Sequence, residues 1–369
     1  MKVGFIGPLS GAYSASGTGS LDGAKAGVAY LNNGGGEAGV KYELISKDDK
    51  GDPTQSAAIA REMAGEGVKM IMPVPTPGSG QAVQPIVNQT HMLFISPNNL
   101  EISEQMAPEG EYPWAFGTGP DLAQFAEKQA EYALKVLKVK KLGEISSADP
   151  GGETFQTSLQ MATEKDGLEV VSQTFPDSQS DVTAQLSKLK SAGVEALAVW
   201  TYGTPLVNVA QSLAKLGWSP TVLTVLGSAD PAVVEVLKKD APEVLKNMVA
   251  GPIAKTYTVS ENGALPSSPL AKAFVEELKK IKGSLNGDDL VGSYEFDAVV
   301  AYDRGIKAAG STDPTKIVEV FSKTPLEISQ GMTAWPEVRG AGVKSSELTL
   351  MKVDSDYSNA TALGVEGLE

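Results

Sequence analysis

The hydrophobic pattern at the start of the chain alternates between short apolar segments and longer segments with helical spacing. The first segment, KVGFIG at residues 2–7, has the length and the β-prone apolar content of a buried strand. A helix is predicted from Asp22 to Leu31, where Asn32, Asn33 and three glycines end it. The other elements predicted in this part are strands at VKYELISKDD, VKMIMPV and HMLFISP, and helices that begin at Asp52–Pro53 and at Gln81.

The same alternation continues through the middle of the chain. The segments KKLGEISS, LEVVSQTF and VEALAVW read as strands, and FAEKQAEYALKVL and residues 154–166 read as helices. Between Asp181 and Ala192, Val182, Leu186 and Leu189 share one helix face. Strands that alternate with helices in this way form parallel sheets with helices on both faces. The sequence therefore predicts an α/β fold with doubly wound parallel sheets.

Two lobes are expected, because 369 residues exceed the size of an ordinary single domain. Gly and Pro occur together between regular elements in FGTGPD and MVAGPI, and ISQGMT is a third candidate break. Three crossings between the lobes would make both of them discontinuous. The predicted lobes are residues 1–120 with 252–330, and residues 121–251 with 331–369.

Composition and charge exclude several kinds of partner. The 45 acidic residues outnumber the 31 basic ones, and the basic residues form no cluster, which disfavours nucleic acid and anionic membranes. No apolar segment approaches the roughly 20 residues that span a bilayer, so we expect no direct membrane insertion. The absence of cysteine excludes disulfides and thiolate metal sites. Met1 is followed at once by Lys2 and a strand, so we expect no signal peptide here, and an exported protein would have this chain as its mature form.

The sequence lacks the motifs of common enzyme chemistry. The segment GPLSGAYSASG, which follows the first strand, matches neither the P-loop nor the dinucleotide-binding fingerprint. The single histidine, His91, precedes an apolar strand, and no G-x-S-x-G motif is present. The acidic segment DDKGD lacks the spacing of a calcium loop. We therefore expect no enzyme activity, no metal and no cofactor.

Loops rich in small residues follow several of the predicted strands. They are GPLSGAYSASG, PVPTPGSGQ and SPNNL. An open α/β sheet binds its ligands outside the carboxyl ends of the strands, which is where these loops lie. The N–H groups at a helix N-terminus suit a carboxylate. This pattern favours a binding protein whose small-molecule ligand bears a carboxylate, and it predicts that the opening loop is part of the cleft wall.

Five segments, in family order over nearly the whole chain, resemble type I periplasmic solute-binding proteins of the branched-chain amino-acid receptor group. They are KVGFIGPLSGAYSASGTGSLDGAKAGVAYLN, KDDKGDPTQSAAIAREM, PGSGQAVQPIV, MLFISPNN and SYEFDAVVAYDRGIKAAG. The resemblance implies two lobes joined by three crossovers, which close on a solute by hinge motion. It also implies a periplasmic or otherwise extracytoplasmic monomer that delivers its solute to the membrane permease of an ABC transporter.

The resemblance assigns a carboxylate site to the first lobe. Ser79, with Gly78 and Gly80 beside it, lies where the family offers a hydroxyl and amides to the ligand. The alternative is that Ser79 caps the helix that follows. The family turn that completes this site corresponds to Asn98, Asn99 and Leu100.

Aromatic contacts are implied at two other places in the first lobe. Ser16 stands where branched-chain receptors have an aromatic residue, which leaves Tyr13 as the bulky group of the opening loop, in the cleft or at its rim. Tyr294 and Phe296 begin a helix where the family often places an aromatic residue, and ordinary core packing is the alternative.

The second lobe departs further from the family pattern. Pro150 and Gly151 replace an aromatic-glycine pair after the first strand of this lobe. In AVWTYGTP, Tyr202 and the adjacent Gly203 are expected to face the ligand, whereas Trp200 is expected in the core.

The departure that bears most on the ligand is Leu226, followed by Gly227, because branched-chain receptors have there the glutamate that holds the α-ammonium group. Burying an ammonium without a carboxylate is costly. Either Asp149 or Asp230 replaces that glutamate, or the ligand has no ammonium group. A hydrophobic amino acid is our first expectation, and an aromatic or aliphatic carboxylic acid is the alternative. The same fold also serves as the ligand-sensing module of signalling systems, which is the alternative from another functional class.

Overall fold

The computed structural model describes residues 1–11, 13–74, 76, 79–96, 112–225, 231–257, 267–283, 285 and 287–352. The chain divides into two compact units, each assembled from separate stretches of sequence. Unit 1 consists of Met1–Asp121, Pro266–Leu285 and Asp289–Glu347. Unit 2 consists of Leu122–Leu265, Asn286–Asp288 and Leu348–Glu369.

Strands and helices alternate along most of the chain. The strands are β1 (Lys2–Gly7), β2 (Glu43–Asp48), β3 (Met70–Pro73), β4 (Leu93–Ser96), β5 (Ala115–Gly117), β6 (Lys141–Ser147), β7 (Glu169–Phe175), β8 (Ala196–Trp200), β9 (Thr221–Thr224), β10 (Met248–Ala254), β11 (Glu327–Ile328), β12 (Gly331–Met332) and β13 (Leu348–Lys352). The α-helices are α1 (Ser14–Tyr30), α2 (Pro53–Gly65), α3 (Ser79–Thr90), α4 (Leu122–Glu131), α5 (Pro150–Glu164), α6 (Thr183–Ser191), α7 (Thr204–Lys215), α8 (Pro231–Asp240), α9 (Pro242–Leu245), α10 (Pro269–Lys282), α11 (Ser293–Ala309) and α12 (Pro314–Phe321). Within the described ranges, no helix is both long enough and apolar enough to cross a membrane.

Each unit contains one main sheet. In unit 1 the strand order is β2-β1-β3-β4-β5, and all neighbouring strands are parallel. In unit 2 the order is β13-β10-β9-β8-β6-β7, and only β13 runs antiparallel to its neighbour. The predicted α/β fold with parallel sheets is therefore confirmed.

The register of the first sheet aligns the carboxyl ends of its strands. Gly7, the last residue of β1, pairs with Asp48, and Ile6 pairs with Pro73 at the end of β3. Behind these ends, Ile6, Ile71 and Phe94 belong to one buried apolar cluster with α2 and α3. The core thus fixes the strands, and the loops that follow them leave the sheet together at one edge.

Helix α1 begins at Ser14 rather than near Asp22, so the last four residues of the opening segment GPLSGAYSASG are helical. The glycines of α1 permit close packing against neighbouring backbone. A Cβ atom on Gly17 would lie 2.1 Å from the Pro8 carbonyl oxygen, and one on Gly23 would lie 1.9 Å from the carbonyl oxygen of Gly292. These positions therefore require glycine for contacts within unit 1.

The predicted lobe boundary within MVAGPI does not coincide with a break between elements. β10 runs through Gly251 and Pro252, and its pairing with β13 shifts register between Ala250 and Ile253. Gly251 has a φ of 138°, which residues with a side chain rarely adopt. The irregularity is thus absorbed inside a strand, and the residues immediately after 252 stay in unit 2.

The predicted boundary at ISQGMT also differs from the structure, because β11 and β12 form a short hairpin inside unit 1. The chain after this hairpin stays with β5. The Gly117 amide donates to the Arg339 carbonyl oxygen at 2.9 Å, and the Gly342 amide donates to the Gly119 carbonyl oxygen at 2.8 Å. Trp335 is buried with its ring centroid 5.1 Å from that of Phe116. Residues 331–347 therefore belong to unit 1 and not to the second lobe.

Candidate functional site

At the carboxyl edge of the first sheet, the loop after β1 and the turn after β2 are bonded to each other. The Asp49 amide donates to the carbonyl oxygen of Gly7 at 3.1 Å. The Asp48 carboxylate accepts hydrogen bonds from the Leu9 amide at 2.9 Å and from the Ser10 hydroxyl at 2.6 Å. This edge holds the predicted ligand-facing residues of the opening loop.

Tyr13 is half-buried against the turn that follows β2. A Cβ atom built on Gly51 would lie 3.2 Å from Cδ2 of the tyrosine and 3.9 Å from Cγ2 of Thr76. The ring therefore packs against the turn after β2, and Thr76 of the loop after β3 lies near the same glycine. Ser16 is exposed in the first turn of α1. The contact of either residue with a ligand stays a prediction.

Ser79 begins α3 and is fully buried. Its hydroxyl accepts a hydrogen bond from the Thr76 amide at 3.0 Å and lies 2.9 Å from the Thr76 carbonyl oxygen, to which it donates. The hydroxyl that the resemblance offers to a ligand is thus engaged by the turn that precedes α3. Because Ser79 is the first residue of α3 and bonds back to Thr76, this is not the bond of an N-cap to a helix that starts at Gln81. Gly80 is also buried, in the first turn of α3. Gly78, Asn98, Asn99 and Leu100 lie outside the described residues.

The two aromatic residues at the start of α11 are both buried. Phe296 is fully enclosed, with its ring centroid 5.5 Å from that of Tyr30 and 5.3 Å from that of Phe274. Phe296 is therefore a core residue of unit 1, which agrees with the packing alternative. Burial raises the pKa of Tyr294, and the nearby Glu295 and Asp297 carboxyl groups add to the rise.

In unit 2, polar side chains from the ends of three adjacent strands form a hydrogen-bonded group. The Ser147 hydroxyl, at the end of β6, donates to Oδ1 of Asp177 at 2.5 Å. The same hydroxyl lies 3.0 Å from Oγ1 of Thr201, immediately after β8. Ser147 and Thr201 are buried, whereas Asp177 is exposed. The sequence pattern predicts none of the three as a site residue, because their only signal is a polar residue at or just after a strand end.

Asp149 lies beside this group as the N-cap of α5. Its Oδ1 accepts a hydrogen bond from the Gly152 amide at 2.7 Å, and Gly151 lies in the first turn of the helix. Burial raises the pKa of Asp149, and the negative charge of Asp177 raises it further. The carboxyl edge of the second sheet thus has a concentration of negative charge.

The aromatic residues after β8 occupy different environments. Trp200 is buried, with ring centroids of Phe125 and Phe155 each 5.3 Å away, so it lies in the core of unit 2. Tyr202 is 38% exposed. Gly203 has a φ of 62° and is the N-cap of α7. Leu226, Gly227 and Asp230 lie outside the described residues.

Three of the buried carboxyl groups, one on a strand and two on a helix, have markedly raised pKa values. Burial raises the pKa of Glu144 on β6 to about 7 and that of Glu295 on α11 to about 8. Burial likewise raises the pKa of Asp297 to about 7, although this residue accepts hydrogen bonds from the Ser329 amide and the Gln330 side chain. Across the described ranges, no group of three or more acidic or histidine side chains is placed to hold a metal ion.

Comparisons with known proteins agree with this architecture. The profile of the family described as periplasmic binding protein matches residues 1–358. The chain is 26% identical over 355 residues to the Leu/Ile/Val-binding protein homolog 3 of Brucella melitensis biotype 1, an alignment that covers 91% of this chain and 87% of that protein.

Solved structures share the fold. A periplasmic binding protein type 1 from Bordetella pertussis Tohama I superposes with a TM-score of 0.81 at 20% identity, covering 95% of this chain and 96% of that one. A solute-binding protein of an ABC transporter from Rhodopseudomonas palustris HaA2, in complex with p-hydroxybenzoic acid, gives a TM-score of 0.76 at 20% identity, with 98% and 96% covered. The profile match spans nearly the whole chain, and the chain therefore belongs to the periplasmic binding protein family.

Proposed function

We propose that the chain is an extracytoplasmic solute-binding receptor of an ABC importer, which captures a small carboxylate-bearing ligand by hinge closure. The family match over residues 1–358 supports the receptor class. The loops at the carboxyl edges of parallel sheets are where α/β proteins bind ligands. The receptor would pass its solute to a membrane permease, and we expect no turnover of the solute.

A hydrophobic amino acid is the ligand that the geometry supports best, and the acidic group of unit 2 carries this choice. Asp149 is partly buried, and Asp177 is close enough for its charge to act on it. Two carboxylates near each other repel, and a cation between or beside them relieves the repulsion. An α-ammonium group is such a cation, so these aspartates replace the glutamate that the family has at the position of Leu226.

The carboxylate of the ligand is assigned to unit 1. Because the Ser79 hydroxyl is engaged by Thr76, we assign this role to backbone N–H groups at the N-terminus of α3 and not to the serine side chain.

An aromatic carboxylic acid is the second candidate. The Rhodopseudomonas palustris protein that shares this fold was solved with p-hydroxybenzoic acid. The exposed Tyr202 ring offers a surface on which an aromatic ligand could pack. Such a ligand would leave the repulsion between Asp149 and Asp177 uncompensated, which is why we place it second.

A thermal-shift comparison tests the ligand class. The compounds are L-leucine, its deaminated analogue 4-methylpentanoate and 4-hydroxybenzoate, because only the first bears an ammonium group. A ligand present at 100 times its dissociation constant stabilises the protein by about 2.7 kcal/mol. We expect stabilisation by leucine and none by 4-methylpentanoate. Stabilisation by the two acids alone would exclude the amino-acid assignment and favour the second candidate.

Substitution of the aspartates tests the ammonium site directly. Asp149→Asn and Asp177→Asn should each weaken leucine binding by about tenfold or more, because each removes a charge that the ammonium group neutralises. The control is Asp181→Asn, an exposed aspartate that lies just before α6 and pairs with Lys215. Calorimetry should show unchanged leucine affinity in the control. Equal affinity in all three variants would contradict the assignment.

A further inference from the structure

Asp48, the last residue of β2, connects the opening loop to the turn after β2 with a single side chain. Its Oδ1 accepts hydrogen bonds from the Leu9 amide and from the Lys50 amide, both at 2.9 Å. Its Oδ2 accepts a hydrogen bond from the Ser10 hydroxyl at 2.6 Å. Both carboxylate oxygens are therefore used, and they bind two separate segments of the chain.

These bonds keep the carboxylate charged. The hydrogen bond from Ser10 is the main cause of a lowered Asp48 pKa, and the amides of Lys50 and Leu9 act in the same direction. Hydrogen bonds to an ionised acceptor are stronger than those between neutral groups. The link between the two segments is thus at full strength at neutral pH.

The segments that Asp48 joins are the ones that hold Tyr13 in place. The tyrosine ring packs against Gly51, where a Cβ atom would lie 3.2 Å from Cδ2 of the ring. Gly51 in turn donates its amide to Oδ1 of Asp49 at 2.9 Å. A Cβ atom built on Gly11, in the opening loop, would lie 3.6 Å from the Lys50 carbonyl oxygen. A shift of the opening loop relative to this turn would therefore move Tyr13 off its packing surface.

We propose that Asp48 is a positioning residue for ligand binding, which holds the opening loop and the turn after β2 together before the ligand arrives. The inference rests on the proposed function, because Tyr13 and Ser16 of this segment are the expected ligand contacts. A loop that is ordered in advance loses less conformational freedom on binding, and affinity rises accordingly. Asp48 itself need not touch the ligand.

The matched control lies in the same turn. Asp52 caps α2 by accepting hydrogen bonds from the Thr54 and Gln55 amides, whereas Leu9 and Ser10 donate to Asp48. Asp48→Ala and Asp52→Ala therefore each remove one aspartate from the same segment, but only the first releases the opening loop. Asp48→Asn is the conservative variant, because its side-chain oxygen can still accept from Leu9 and Lys50 and its amide can donate to Ser10.

The first measurement is hydrogen exchange on the ligand-free protein. Asp48→Ala should accelerate exchange of the Leu9 and Lys50 amides by about tenfold or more, whereas Asp52→Ala should accelerate Thr54 and leave Leu9 unchanged. Asp48→Asn should stay near the wild-type rate. Equal exchange of Leu9 in Asp48→Ala and in the wild type would overturn the positioning role. Ser10→Ala removes one of the three bonds and gives a milder version of the same test.

The second measurement is calorimetric titration with L-leucine and with 4-hydroxybenzoate. Asp48→Ala should weaken whichever of the two the wild type binds by about tenfold, and Asp48→Asn should restore most of the affinity. Faster loop exchange with unchanged affinity would show that the link is only structural and would overturn the inference. If the wild type binds neither compound, the proposed ligand classes fail, and the exchange comparison alone decides whether Asp48 holds the loop.

Discussion

A single buried carboxyl group, Glu144, illustrates how one side chain couples stability to pH. Glu144 is fully buried at the centre of β6. Its carboxyl oxygens have no hydrogen-bond partner of ordinary geometry among the described residues. The nearby Ser146 and Ser172 hydroxyls act to lower its pKa. Burial nevertheless raises that pKa from 4.5 to about 7. The folded protein therefore keeps a proton that the unfolded chain has already lost.

The sign of the pH effect follows from this difference in bound protons. Between the unfolded pKa of 4.5 and the folded pKa of about 7, the native state binds more protons, so the free energy of unfolding falls as pH rises. The loss amounts to about 3 kcal/mol and is complete above the folded pKa. Glu144→Gln should flatten this slope when denaturant unfolding is compared at about pH 5 and about pH 8.

The control for this prediction is Glu164→Gln, an exposed glutamate at the end of α5 in the same unit. It should keep the wild-type dependence on pH. Glu295 and Asp297 also have raised pKa values, so part of the slope should persist in Glu144→Gln. A slope identical to that of the wild type would show that Glu144 is ionised in the folded protein.

Residue roles were harder to predict than residue environments. The sequence predicts a helix from Gln81 with Ser79 before it, whereas α3 begins at Ser79, and only the structure shows that the serine hydroxyl is bonded to Thr76. The sequence analysis predicts the next helix only from residue 154, whereas α5 begins at Pro150 and Asp149 is its N-cap, a pairing typical of a helix N-terminus. Asp177 was not predicted at all, because the sequence contains no sign of its contact with Ser147, thirty residues away.

At the scale of elements, α1 and α11 approach so closely that their contact requires glycine. The Gly23→Ala substitution would place a methyl group 1.9 Å from the Gly292 carbonyl oxygen, so one of the segments must move. Overpacking of this kind costs about 1–3 kcal/mol. We expect Gly23→Ala to lower the free energy of unfolding by about that amount, measured by chemical denaturation.

The same helix offers a matched control. No atom lies within 4 Å of a Cβ built on Gly19, so Gly19→Ala adds a methyl group in open space. Alanine is favoured over glycine in a helix by up to about 1 kcal/mol, so this variant should be as stable as the wild type or more stable. Equal destabilisation by both substitutions would show that the α1 backbone, and not the contact with Gly292, is responsible.

At the scale of the whole molecule, the decisive feature is that residues 331–347 stay in unit 1. Trp335 packs against Phe116 and Phe321 and donates its indole N–H to the Gly117 carbonyl oxygen. Trp335→Ala should lower the free energy of unfolding by about 3–5 kcal/mol, because it removes a large buried ring and a hydrogen bond. Chemical denaturation should show this loss, and Trp218→Ala, a half-exposed tryptophan of unit 2, should cost much less.

Unchanged stability in Trp335→Ala would mean that this segment does not anchor β5.

The boundary between lobes was predicted at ISQGMT because glycine and polar residues there suggest a break. In the structure this segment is the turn of the β11–β12 hairpin, and the chain leaves unit 1 only at Glu347. A local pattern can indicate a turn, but it does not determine which domain the following residues join.

The sequence by itself determined the parallel α/β architecture, the order of most strands and helices, and the family, because each depends on local periodicity or on motifs that are contiguous along the chain. Only the tertiary structure decided which residues meet across long separations. The contact of Gly23 with Gly292, the bonds from Asp48 to Leu9 and Ser10, and the group formed by Ser147, Asp177 and Thr201 all join segments far apart in sequence. Such contacts depend on sheet register and helix packing, which no single stretch of residues encodes.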